Sequence, residues 1–200
     1  MKGGSRGFFI TGRPGVGKST VFSSIIDSLK SMGCTVGGVI APEIRKEGSR
    51  IGFKLVDLMT GESTWLAVKG SAMKGPRVGR YVVLEEAGLL GRKALERAMR
   101  EAHVIGIDEI GPMELLLPEL RKAIIEALKS GKPVVAVIHA RLAERDPGIY
   151  RLVKSLGPVV WLTENNRDQV ASSREEVASR IASKAGCSEG REGTSIHTGS

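Results

Sequence analysis

Residues 12–20 read Gly-Arg-Pro-Gly-Val-Gly-Lys-Ser-Thr, which fits the spacing G-x-x-x-x-G-K-[ST] and adds a second hydroxyl. A segment of this composition suits the gripping of phosphate. Gly12, Gly15 and Gly17 let the main chain wrap closely around an anion, with Arg13, Pro14 and Val16 filling the spacing between them. Successive N–H groups then face the anion, and the helix that follows adds the partial positive charge of its N-terminus. In such a cradle Lys18 reaches the β- and γ-phosphates of a nucleotide, Ser19 ligates Mg²⁺, and Thr20 adds a contact near the α-phosphate.

A second group of residues supplies acids and a base. The run VIGIDE (104–109) ends an apolar strand on two carboxylates. An aspartate in that position holds an uncompensated charge unless a cation or hydrogen-bond donors meet it. Asp108 is therefore expected to hold Mg²⁺ through a water beside Ser19. Glu109 is placed to accept a proton from an attacking water, and an adjacent Asp-Glu pair suits hydrolysis better than transfer to a second substrate. Glu114, in GPMEL, is a further acid that either supports the metal site from behind or pairs with a base. His139 ends the strand VVAVIH and either faces the γ-phosphate or is merely satisfied at a strand end. Charge developing on a transferred phosphoryl group calls for cationic help. Arg13, Arg45, Arg50, Arg77, Arg80, Arg141 and Arg145 are candidates, and the sequence does not choose among them. After the last strand comes TENNRDQV; a guanine reader Asn-Lys-x-Asp would need lysine where Asn166 stands. Loose discrimination among bases is expected, with Asn166 as a nucleotide contact.

These groups need a scaffold. An apolar strand over 7–11 leads into the glycine loop, and from Lys18 apolar residues recur at Val21, Phe22, Ile25, Ile26, Leu29 and Met32, the period of an amphipathic helix that Gly33 ends. Further strands are expected over 35–41, 80–84, 103–109, 133–140 and 158–163, and helices over 92–102 and 118–130. Between about 42 and 84, strand-like runs separated by turn residues predict antiparallel hairpins inserted in the core. The stretch 141–157 receives no element. Ser173 and Glu176 form a capping-box pattern for a final helix ending near Lys184, and 186–200 lacks apolar periodicity and reads as a disordered tail after a single domain spanning 1–185. Strands alternating with helices predict an α/β fold with a parallel sheet whose ligands sit at the strands' C-terminal edge. The glycine loop, IDE and VIH all fall at that edge.

Composition narrows the partners. The net charge is +8, and residues 41–80 contain eight basic against four acidic side chains, half of the surplus in a fifth of the chain. A polyphosphate ligand fits; a nucleic acid stays open but is disfavoured, because aromatic residues for stacking make up only 4%. Cys34 and Cys187 show no metal-ligand spacing and are expected to be reduced thiols in a cytoplasmic protein. No stretch approaches the ~20 apolar residues of a membrane span, and a monomer is the expected state. The scarcity of Asn and Gln is a trait of some thermophile proteins.

Taken in order, GRPGVGKST, APEIRKEGSRIGFKLVDL, VGRYVV, IDEIGPMEL and VIHAR resemble the small P-loop nucleoside-triphosphatase family of hyperthermophiles and animals, over about residues 7–170. The resemblance implies a RecA-like P-loop NTPase core with added β-hairpins. It also implies Mg²⁺-dependent hydrolysis of the terminal phosphate of several nucleoside triphosphates, with Gly12–Thr20, Asp108, Glu109 and Glu114 carrying over by motif position. Residues 85–90, EEAGLL, depart from the family pattern in lacking an aromatic after the acids. Two other readings are distinguishable by experiment: a nucleoside or nucleotide kinase with KGPRVGR as its lid, and a nucleotide-dependent RNA- or DNA-binding module.

Overall fold

In the computed structural model, which describes residues 5–70 and 74–187, the run ahead of the glycine loop is β1 (Gly7–Gly12), buried along its whole length. α1 (Lys18–Ser31) follows the loop and buries Val21, Phe22, Ile25, Ile26 and Leu29, the stripe its periodicity predicts. The chain continues through β2 (Val36–Ile40), β3 (Glu43–Lys46), β4 (Ser49–Asp57), β5 (Ser63–Lys69), β6 (Arg77–Val78) and β7 (Tyr81–Val83). Next come α2 (Glu86–Glu101), β8 (Val104–Ile110), α3 (Pro112–Leu115), α4 (Pro118–Lys129) and β9 (Val134–Ile138). The last elements are α5 (Leu142–Arg145), α6 (Pro147–Leu156), β10 (Val159–Leu162), α7 (Arg167–Ser172) and α8 (Arg174–Ala185).

Among the described residues the strands form one ten-stranded sheet, ordered β10-β1-β9-β8-β2-β4-β5-β7-β6, with β3 paired to β4. The block from β10 to β2 is parallel, and from β2 outward every pairing is antiparallel. The expected hairpins are present, and they prolong the core sheet. Asp57 anchors them: its carboxylate is buried, ion-pairs with Arg97 of α2, and accepts the N–H of Met59 at 2.8 Å. One sheet face packs Phe8, Ile10, Val135 and Val137 under α1 and α8; the other packs Phe9, Ala136, Ile105 and Ile107 under α2 and α4. Cover on both faces is why these strands are apolar without alternation. No helix among the described residues is long and apolar enough to cross a membrane.

Several expectations need correction. Cys34 and Cys187 are joined in a disulfide, where two reduced thiols were expected. They are 153 residues apart, so no local pattern announces the pairing, but α1 packs on α8 and sets the two Cα atoms 5.1 Å apart. The same bond ties down the start of the expected tail: Gly186 is the left-handed C-cap of α8, and Cys187 N–H donates to Ala182. Residues 188–200 of that tail lie outside the described residues, as do 71–73. The Ser173–Glu176 capping box does not form, because the Ser173 hydroxyl donates to the Val170 carbonyl of α7. α2 starts at Glu86, six residues before its expected start, and docks through Ala87, Leu90, Ala94 and Leu95 without the family's aromatic. α6 occupies a stretch with no expected element, although its signals are present: Asp146 accepts the Ile149 N–H at 3.0 Å, and Pro147 takes the first helical position.

A cross-link closing so long a loop restricts the unfolded chain and is worth about 2–5 kcal/mol. Dithiothreitol is therefore expected to lower the Tm by roughly 5–15 °C, and a Cys187→Ser variant should melt at the reduced protein's temperature with or without reductant. A wild-type Tm indifferent to reductant would remove the cross-link from the account of stability.

Candidate active site

The loop between β1 and α1 has the backbone that its glycines permit. Gly15 and Gly17 take φ of 80° and 101°, in the left-handed region that side-chain-bearing residues avoid. A Cβ on Gly12 would collide with the Leu162 carbonyl of β10. Val16 is buried and pins the loop to the core beneath α1, while Arg13, Pro14 and Gly15 stay exposed. The Lys18 ammonium folds back over the loop and donates to the carbonyls of Gly12 at 3.2 Å and Arg13 at 3.1 Å. Ser19 and Thr20, in the first turn of α1, are exposed at the same rim.

Two strands away, β8 brings its acids to this rim. The Ser19 hydroxyl stands near the Asp108 carboxylate, and burial raises the pKa of Asp108, opposed by that hydroxyl and by the Lys18 charge. Glu109 is raised as well, first by burial and then by the neighbouring Asp108, again opposed by Lys18. The β8–β9 register slips between Asp108 and Ile110, so the strand is irregular where its acids stand. Gly111 is a residue that sequence reasoning missed. A Cβ there would strike the Glu109 carboxylate, so glycine leaves the room this side chain occupies; its place two residues past the acids was the only available signal.

Glu114, at the first turn after β8, is buried, and its pKa is pushed up to about 8 by burial, then by Glu109 and Asp108. Burial thus favours its protonated form. Of its two expected roles, the structure gives it a place behind the acid pair, and no ion pair of Glu114 occurs among the described residues.

β9 lies between β1 and β8, so its terminal His139 stands between loop and acids. Nδ1 of His139 accepts the Arg141 N–H at 3.2 Å. That bond requires Nδ1 to be unprotonated and leaves the proton of the neutral ring on Nε2, available for donation. Burial, then the charges of Arg145, Lys18 and Arg141, depress its pKa and keep it neutral.

The candidate arginines separate by their partners. Arg45 and Arg50 both pair with Glu43 on the hairpin, Arg77 donates to the Gly70 carbonyl, and Arg141 pairs with Glu144 at 3.0 Å. Arg145 is the one whose charge bears most strongly on His139. Asn166 is engaged at both ends of its amide. Oδ1 accepts the Thr163 N–H at 2.8 Å and Nδ2 donates to the Trp161 carbonyl at 2.9 Å, so the side chain braces the turn after β10.

Comparison with known proteins places the chain in a family. A family model described as NTPase matches residues 7–173. A nucleoside-triphosphatase THEP1 of Thermofilum pendens is 44% identical over 182 residues, covering 89% of this chain and 98% of its own. That of Pyrococcus abyssi is 45% identical over 164 residues, covering 82% and 87%. Among solved structures, THEP1 from the hyperthermophile Aquifex aeolicus superposes with a TM-score of 0.69 at 30% identity, over 86% of this chain and 98% of its own. A human cancer-related nucleoside triphosphatase superposes with a TM-score of 0.67 at 28% identity, over 90% and 98%. The family resemblance carried by the motifs is thus borne out over residues 7–173, and the chain belongs to the NTPase family.

Proposed function

We propose that this protein is a nucleoside-triphosphatase that releases the terminal phosphate of several nucleoside triphosphates, with Mg²⁺ and with little preference for the base. One observation supports this most. A single ammonium, that of Lys18, is seated on the glycine loop and exerts its charge on Asp108, Glu109 and His139 together. A triphosphate gripped by the loop would then lie beside a metal-binding pair, a base and a hydrogen-bond donor. The relatives' names point to the same chemistry.

The residues suit a magnesium ion by the chemistry of their donors. The Ser19 hydroxyl and Asp108 carboxylate are hard oxygens close enough for the hydroxyl to favour the charged carboxylate. Magnesium in nucleotide sites keeps several waters and takes few protein ligands beside the phosphates, and among the described residues no group of three or more His, Cys, Asp or Glu is placed to hold a metal alone. When bound, the ion neutralises charge on the phosphate oxygens.

The chain's own groups divide the remaining work. Loop N–H groups and Lys18 hold the β- and γ-phosphates. Glu109 orients a water in line with the γ-phosphorus and accepts its proton as the P–O bond to the bridging oxygen breaks, leaving a nucleoside diphosphate and inorganic phosphate. Its raised pKa makes it a stronger base than an ordinary carboxylate. His139 donates through Nε2–H to a γ-oxygen, and Arg145, whose charge reaches His139, and Arg13, exposed on the loop, are the candidates to stabilise the charge. Without such an arginine in position, turnover is slow, on the order of 10⁻⁴ to 10⁻² s⁻¹ in comparable sites.

A free-phosphate assay with ATP, GTP, CTP and UTP tests the reading. Phosphate should appear without an acceptor, at rates within about an order of magnitude for the four nucleotides, and should stop when magnesium is chelated. Label arriving on an added nucleoside instead of in free phosphate would establish a kinase.

A further inference from the structure

We propose that the indole of Trp161 is the platform on which the base of the bound nucleotide stacks. The proposal rests on the nucleotide reading above and specifies how that site meets the base. Trp161 lies on β10, paired in register with Thr11, and its successor Leu162 pairs with Gly12, where the phosphate loop opens. Neighbouring strands are about 4.8 Å apart, so the indole springs from the sheet edge immediately beside the loop. Ligands of open α/β sheets sit outside these strand ends.

Its exposure sets it apart. Leu162 is buried in the core under α1, and by alternation Trp161 faces the other way, with 49% of its surface open. Among the described residues the other two large apolar side chains so exposed, Leu89 and Leu116, line a separate groove with Pro118 and Glu119. The Asn166 amide holds the Thr163 N–H and the Trp161 carbonyl, which fixes the residue bearing the indole. A base arriving here meets a π-face. Every base has a π-face, so stacking tolerates all four. Loose base preference then follows from what β10 presents.

The chain has two tryptophans, so a Trp65→Phe protein reports on Trp161 alone. ATP, GTP, CTP and UTP should each quench its emission saturably, and inorganic triphosphate should not. Trp161→Ala should raise KM for all four nucleotides roughly tenfold with kcat within about twofold, and should leave inhibition by inorganic triphosphate unchanged; Trp161→Phe should recover most of the loss. Normal hydrolysis by Trp161→Ala with unchanged KM overturns the platform and leaves the triphosphatase reading intact. Weakened triphosphate inhibition in that variant would mark a structural defect and overturn it also. A wild-type protein that neither binds nor hydrolyses nucleotides overturns both.

Discussion

Lys18→Ala is expected to weaken binding of magnesium-nucleotide by roughly a hundredfold or more. Each hydrogen bond to a charged partner is worth about 1.5–3 kcal/mol, and this ammonium is placed to serve two phosphate groups. Its loss also exposes the triphosphate to the acids it now screens, because the Lys18 charge opposes the upward pKa shifts of both Asp108 and Glu109. The loop itself should survive: Val16 remains in the core and the glycine conformations do not depend on the lysine. Calorimetric titration at fixed ionic strength measures the loss, with the melting temperature as a control for folding. Undiminished nucleotide uptake by Lys18→Ala would sink the phosphate-cradle assignment.

Glu109→Gln should lower kcat by about 10²-fold or more while nucleotide affinity stays within a few-fold, since positioned acid–base groups typically contribute 10² to 10⁴. The substitution keeps size and leaves the space made by Gly111 filled as before. It removes the partly exposed carboxylate next to Asp108, while burial holds the Glu114 carboxyl toward its protonated form with a pKa of about 8. The two variants therefore fail in different ways, one in binding and the other in turnover. Single-turnover phosphate release from a preformed complex separates them. Full turnover by Glu109→Gln would pass the role of base to another group, with His139 next in reach of the same rim.

Legibility in the sequence tracked how local the cause was. The glycine loop is nine consecutive residues whose function resides in their own main chain, so reading them in order is enough. Asp108 and Glu109 stood out because a charged pair ending an apolar run calls for a cation or hydrogen-bond donors to meet it, with a helix cap or surface acid as the other reading of Glu109. The α1 stripe and the continuous apolar strands announced a parallel sheet covered on both faces, and turn residues announced the hairpins. α6 was legible and went unread: Asp146, Pro147 and the apolar spacing of Ile149, Val153 and Leu156 all stand in the sequence. The capping box shows the opposite error, a correct local pattern outbid by the Val170 carbonyl that α7 brings to the Ser173 hydroxyl.

By itself, then, the sequence determined the groups on offer: a glycine loop with its lysine, an acid pair and a histidine, each at the end of a strand. Only the tertiary structure decided their relations. Strand order put His139 between loop and acids, helix packing joined Cys34 to Cys187, the fold turned Asn166 into a brace, and the pairing of β10 with β1 set Trp161 beside the loop. The physical reason is range. Backbone conformation, periodicity and capping act over a few residues and are written consecutively, whereas burial, electrostatic coupling and proximity act through space, and space is assigned only when the chain has folded.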